Sequence, residues 1–278
     1  MNKILNDTKI LDSKTIDVAK HDIDLNRRYL VKGLLQTKQV SMLAGPSNLG
    51  KSAFVASLAS HISQGKDFNY QKITKSAVLY IAAEDSEGIA DRCFPFFQET
   101  PTSAPFPPLP IYSAPFKILP RTIDLSNSEE IERLTCEVND LLIRSGFFNI
   151  FIVIDTLNLC IGEADENSSK DMGRVINNAQ KLAQDTNGHV MIVHHTGAQA
   201  NSRPRGSSAL TANVDTLLTL QKADTKKHPQ YSAGTIIVSQ QKQRRIKIGK
   251  DIAYKIKPYK IGKDPDGDMI TVPIVKII

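Results

Sequence analysis

The eight residues Gly45, Pro46, Ser47, Asn48, Leu49, Gly50, Lys51 and Ser52 have the spacing G-x-x-x-x-G-K-[ST] of a phosphate-binding loop. Each part of that pattern has a chemical reason. Glycine lets the backbone turn tightly enough for successive N–H groups to face one centre, and the start of the following helix adds a dipole that favours an anion. Lys51 carries the charge that meets the β- and γ-phosphates of a nucleoside triphosphate, and the Ser52 hydroxyl supplies a hard oxygen for Mg2+. The expected ligands are therefore ATP and Mg2+.

A site of this kind also needs a carboxylate near the metal, and hydrolysis needs a base. Phe151-Ile-Val-Ile-Asp155 places an acid at the end of an apolar run, and Asp155 is the expected metal ligand. The next residue is Thr156, so the Asp-Glu pair of many phosphate-loop ATPases is missing and the base must come from elsewhere. Glu84, directly after the apolar run Ala77–Ala83, is expected to fill that role, whereas Asp85 beside it suits the start of a helix. The segment His189–His195 ends in two histidines. Adjacent strand residues point to opposite faces, so only one of them can serve a site on this edge; we assign His195 to the γ-phosphate. The same alternation argues against a shared zinc ion, since no cysteine or acid stands at ligand spacing.

The elements that must position these residues are legible around them. Gln39–Ala44 predicts a buried strand entering the loop, and a helix should run from near Ser52 to Gly65, a natural stop. Ala77–Ala83, Phe151–Ile154 and His189–His194 predict further strands. Ser126 with Glu129 reads as a capping box opening a helix to about Arg144, and Asp171–Thr186 predicts another helix. Residues 95–120 hold eight of the fourteen prolines, so irregular chain is expected there, with one short strand at Ile111–Tyr112. After Asn213 only strands are expected: Val214–Leu220, Thr235–Ser239, Ile252–Ile261 and Ile270–Ile277, the last two forming a hairpin. Its turn, Asp264-Pro-Asp-Gly-Asp268, looks like the start of a calcium loop, but Met269 stands where glycine is required and Val275 where glutamate is.

Alternating strands and helices from 39 to about 195 predict an α/β fold: a RecA-like phosphate-loop core, a mostly parallel central sheet flanked by helices, and C-terminal β-strands that extend the sheet. Residues 29–278 are read as one domain, and residues 1–28 as a polar N-terminal arm suited to an inter-subunit contact.

Composition excludes several other classes. An apolar share of 41% with 23% charged residues supports a large core and argues against disorder. No apolar run reaches the length of a membrane helix, and the first residues lack the apolar stretch of a secretory leader, so neither membrane nor export is expected. Cys93, Cys136 and Cys160 are far apart, which speaks against a disulfide framework and for a reducing cytoplasm. The net charge is +6, yet Lys242–Lys263 alone holds nine basic residues against Asp251. That run admits two readings, a polyanionic partner or a solvated lysine-rich strand edge.

In their order, GPSNLGKS, AVLYIAAED, FIVIDT, VMIVHHT and Arg205-Gly-Ser-Ser-Ala-Leu210 resemble the RecA-fold ATPases. Within these the chain looks like the RepA/DnaB-like hexameric helicase family, especially the small plasmid and phage RepA-type ATPases. The resemblance covers roughly residues 30–245. It implies a homo-oligomeric ring, a hexamer, that binds ATP between subunits and moves on single-stranded DNA during replication of a plasmid, phage or other mobile element. A primase or initiator protein is an implied partner. Glu84 becomes the catalytic base and His195 the γ-phosphate sensor. Val238-Ser-Gln-Gln-Lys242-Gln-Arg244 is similar to the Lys-x-Arg motif of DnaB-type members, which implies that Lys242 and Arg244 reach a neighbour's nucleotide, with Arg205 in reserve. DNA phosphates are the other ligand open to these cations.

Two loops contact DNA in such rings. Here Asn158–Gly173 is acidic, whereas Thr196–Ser208 carries Arg203 and Arg205, which are the expected nucleic-acid contacts. Because no long helical domain of the DnaB type precedes the core in this sequence, ring assembly is expected to use the core and its arm. The alternative is a non-motor RecA-like ATPase acting as a switch or assembly factor in replication or recombination. A phosphate-loop kinase fits less well, since no lid motif is evident.

Overall fold

The computed structural model describes residues 18, 28–98, 114–196 and 206–278. A short antiparallel pair, β1 (Tyr29–Val31) and β2 (Leu35–Gln36), precedes the main sheet. The sheet then forms from β3 (Gln39–Gly45), β4 (Ala77–Ala82), β5 (Phe116–Leu119), β6 (Ile150–Asp155), β7 (His189–His195), β8 (Thr216–Lys222), β9 (Ile236–Gln243), β10 (Ile252–Lys263) and β11 (Met269–Ile277). Its order is β11-β10-β9-β8-β3-β7-β6-β4-β5. Strands from β8 to β5 in that order are parallel, while β9, β10 and β11 continue the sheet antiparallel. Among the described residues the α-helices are α1 (Lys51–Gln64), α2 (Ser86–Phe97), α3 (Ser128–Ser145), α4 (Ser169–Asp185) and the short α5 (Ser208–Asn213). Among the described residues no helix is long and apolar enough to cross a membrane.

Why the central strands are apolar throughout is clear from their two faces. Val78, Tyr80, Phe151, Val153, Met191 and Val193 face one core, in which Phe54, Leu58 and Ile62 of α1 and Ile89 and Cys93 of α2 are packed. Leu79, Ile81, Ile152, Ile154, Val190 and Ile192 face a second core built on Leu134, Val138 and Leu142 of α3 and Val175, Ala179 and Leu182 of α4. A strand covered on both sides loses the polar half of its alternation, which is the pattern of a parallel sheet between helix layers.

Three local readings need correction. The cap of α3 is Asn127, whose side chain accepts from the N–H groups of Glu129 and Glu130; Ser126 is diverted to Asp124, 2.7 Å from its hydroxyl. β5 lies where irregular chain is expected because Pro115 and Pro120 bracket it, but prolines at both ends are compatible with an edge strand. α2 runs through Pro95 to Phe97, because a proline in the last turn removes only one backbone bond. The strand expected at Ile111–Tyr112, the arm residues 1–27 other than Val18, and Arg203 and Arg205 lie outside the described residues.

Candidate functional site

Parallel register brings the chemistry to one edge. Gly45 at the end of β3 pairs with His195 at the end of β7, and Asp155 at the end of β6 pairs with Val193 and with Ala82 of β4. The carboxyl ends of β3, β4, β6 and β7 therefore deliver the glycine loop, Glu84, Asp155 and His195 to the same side of the sheet. Open α/β sheets bind their ligands there.

The loop that joins β3 to α1 holds Asn48 at φ 62° and Gly50 at φ 74°, two left-handed residues that curl the backbone around a common centre. The start of α1 has no capping side chain and no acid in its first turn. Every other helix named above is capped by a side chain: Asp85 for α2, Asn127 for α3, Ser168 for α4 and Ser207 for α5. Amide donors that need an acceptor are thus reserved, at this one helix, for an external anion. The loop fits a phosphate.

Lys51 is buried, and its ammonium donates to the carbonyls of Gly45 (3.0 Å) and Pro46 (2.9 Å) and to Nδ1 of His195 (3.2 Å). Burial pulls its pKa below the ordinary lysine value, and the carboxylates of Asp155 and Glu84 offset part of that shift. The Ser47 hydroxyl stands 3.2 Å from the same His195 nitrogen. Burial, followed by the charge of Lys51, also lowers the pKa of His195, so the imidazole is neutral at neutral pH. With two donors at Nδ1, the ring proton belongs on Nε2, which leaves an N–H free to donate. His194 points the other way, into the interior, where its Nε2 lies 3.6 Å from Glu166.

Asp155 is buried and accepts from the Tyr80 hydroxyl at 2.7 Å and from the hydroxyl of Ser52. Burial raises its pKa, and those two hydrogen bonds and the charge of Lys51 offset part of that shift. Ser52 and Asp155 together present adjacent hard oxygen donors. Among the described residues no group of three or more His, Cys, Asp or Glu could hold a metal. Mg2+ suits such a sparse site, because it takes one or two protein oxygens and completes its shell with phosphate and water. Glu84 is exposed, and its Oε1 accepts from the Thr156 hydroxyl at 2.8 Å.

Two residues that position these groups escape a reading of the sequence. Tyr80 gives a signal: a phenol in an otherwise aliphatic buried strand must find a polar partner. Thr156 gives none, because its partner follows another strand, 72 residues away.

Lys242 and Arg244 are elsewhere. Gln243 of β9 pairs with Thr216 of β8, which pairs with Ser41 of β3, four residues before Gly45. At about 3.3 Å per residue, that is about 13 Å along the strand, towards the opposite edge. There Lys242 donates to the carbonyls of Thr211 (3.1 Å) and Ala212 (2.6 Å), and Arg244 donates to Ala212 (2.9 Å) and lies 3.6 Å from Asp215. The end of α5 attracts both cations. Within one chain, the structure does not bring them to the phosphate loop.

Residues 8–201, well over half of the sequence, match the AAA domain family. The chain belongs to the AAA domain family. No curated protein sequence matches this AAA-domain chain. Among solved structures, one ATPase domain superposes with a TM-score of 0.58 at 12% identity, covering 98% of each chain. A DnaB-like replicative helicase, solved to show its interactions with primase, gives 0.58 at 14% identity and covers 91% of this chain and 69% of its own. The AAA-domain chain therefore has the RecA-like fold of DnaB-like helicase ATPase domains, as its motifs implied.

Proposed function

We propose that this AAA-domain chain is an Mg2+-dependent ATP hydrolase of the helicase type, working as a homo-oligomeric ring on single-stranded DNA. The observation that carries this reading is the division of groups between the two edges of the sheet. The phosphate loop, Glu84, Asp155 and His195 share one edge, and the cations Lys242 and Arg244 stand at the other. A second copy must bring its cation-bearing edge to the first copy's loop for the set to be complete. That requirement is met at every interface of a closed ring.

In this reading the loop amides and Lys51 hold the phosphates, while Ser52 and Asp155 hold Mg2+, which supplies charge neutralisation at the phosphates. Glu84, held by Thr156, orients and deprotonates the attacking water. The neutral His195 donates from Nε2 and reports whether the γ-phosphate is present. Arg244, with Lys242, comes from the neighbour and stabilises the charge that develops on the transferred group. Arg203 and Arg205 make salt-dependent contacts to the DNA backbone. The likeness in fold to a solved ATPase domain and to a DnaB-like replicative helicase supports the helicase class. We extend the proposal to replication of a plasmid, phage or other mobile element, with a primase or initiator protein as a further partner.

Native mass measurement in ATP and single-stranded DNA, paired with hydrolysis rates with and without that DNA, tests the proposal. A hexamer whose hydrolysis is stimulated by DNA is expected. A lasting monomer indifferent to DNA overturns the ring, and stimulated hydrolysis with no opening of a forked duplex favours the switch or assembly factor instead.

A further inference from the structure

The antiparallel extension reaches the phosphate loop. Ala44 of β3 is level with Thr219 of β8, and Lys222, three residues further on, is level with Ile236 of β9 and Tyr254 of β10. Among the described residues β10 pairs beyond Tyr254 only with β11, so the two strands project past the sheet on the side of the glycine loop. There the Tyr254 ring packs on Phe54 of α1, with centroids 5.4 Å apart, and its buried hydroxyl donates to the Leu49 carbonyl at 3.0 Å. Ile256, two residues on and on the same face, lies against Gly50 so closely that a Cβ there would collide with its Cδ1.

These two contacts bear on a group that matters for phosphate. The carbonyl of Leu49 and the N–H of Gly50 belong to one peptide unit, and it is trans. In a trans peptide the C=O and N–H point in opposite directions. Fixing the carbonyl on the hairpin therefore aims the Gly50 N–H away from the hairpin, into the cradle formed by the left-handed loop. Ile256 closes the same unit from outside, where glycine leaves no side chain of its own.

We propose that the β10–β11 hairpin braces the phosphate loop, and that Tyr254 is a positioning residue for nucleotide that acts through the Leu49 carbonyl. The proposal rests on the ATP-binding reading of that loop. Burial raises the Tyr254 pKa far above neutrality, so the phenol remains a donor at any working pH. The ring and the hydroxyl have separable tasks. Packing on Phe54 anchors the hairpin to α1, and the O–H sets the orientation of one peptide.

Tyr254→Phe keeps the ring and removes only the donor. In the full chain without nucleotide, amides 48–52 of this variant should exchange hydrogen faster than in the wild type. Binding of a non-hydrolysable ATP analogue with Mg2+ should weaken by about three- to tenfold, the usual range for one lost neutral hydrogen bond, while the thermal midpoint falls by only about the few degrees that one such bond is worth. Ile256→Ala should speed exchange over the same amides, whereas Tyr259→Phe, further along the hairpin, should leave exchange and binding as they are. Unchanged exchange at 48–52 in both Tyr254→Phe and Ile256→Ala overturns the brace. A lower midpoint with unaltered analogue binding also overturns it, since that outcome makes Tyr254 a packing residue only. A wild-type chain that binds no analogue, but whose loop exchange still responds to Tyr254→Phe, defeats the ATP reading and leaves the brace standing.

Discussion

At the scale of single residues, the site separates tasks by burial. Asp155 and Lys51 are buried and tightly bonded, whereas Glu84 is exposed and held at one oxygen by Thr156, which leaves Oε2 for water. A metal ligand benefits from a fixed geometry, and a base needs access to solvent. Glu84→Gln keeps the size of the side chain and the acceptor for Thr156 but removes the basic oxygen. Its hydrolysis rate should fall by at least about a hundredfold while nucleotide binding stays within about twofold of wild type. Single-turnover hydrolysis and equilibrium binding measured on the same sample separate the two effects. Full turnover in this variant would remove Glu84 as the base.

At the scale of elements, the start of the sheet is tied together by a residue with no part in the chemistry. His189 opens β7, is fully buried, and bonds through Nδ1 to the Gln36 carbonyl of β2 (2.6 Å) and through Nε2 to the Ser41 hydroxyl of β3 (2.8 Å). Burial lowers its pKa from 6.5 to about 4. Between these values the unfolded chain binds a proton that the folded chain refuses, so stability is complete above about pH 6.5 and is lost as the pH falls towards 4. The loss is about 3 kcal/mol for one such group. Urea midpoints at pH 7 and pH 4.5 should fall further apart for the wild type than for His189→Gln, and equal separations would contradict this account. The elements that the sequence made legible were those with strong local signals: apolar strands bounded by turns, and a glycine loop entering a helix. Asn127 was hidden because Ser126 and Asn127 are both good caps, and the bond from Ser126 to Asp124 decided between them. β5 and the pair β1–β2 are short or half-buried, so their pairing depends on partners distant in sequence. The loop and its acids could be read locally, but the bonds of Tyr80 and Thr156 exist only once β4 and β6 lie side by side.

At the scale of the whole molecule, the polarity of the sheet is what makes the proposed site call for a second copy. Arg244 cannot swing to its own phosphate loop, because β9 runs antiparallel to β8 and sets its end down at the start of the parallel strands. Its guanidinium is also held by Asp215, which accepts the Val40 N–H at 3.0 Å and is therefore fixed to the sheet. In the proposed ring, a cation on one edge and a cradle on the other make a heterologous contact, in which each copy gives one half of a site and receives the other. Two inactive variants test that arrangement directly. Lys51→Ala destroys the cradle and keeps the cation, and Arg244→Ala does the reverse, so each alone should hydrolyse ATP at least about a hundredfold more slowly than wild type. Mixed in equal amounts and allowed to assemble, the two should place an intact cradle against an intact cation at about one interface in four. The mixture should then recover up to about a quarter of wild-type hydrolysis, a rise that neither variant shows when its own concentration is doubled. Mass measurement establishes that mixed rings have formed. Mixed rings with no recovery would mean that Arg244 serves its own chain or no nucleotide at all, and its place beside the basic run would then favour DNA phosphates.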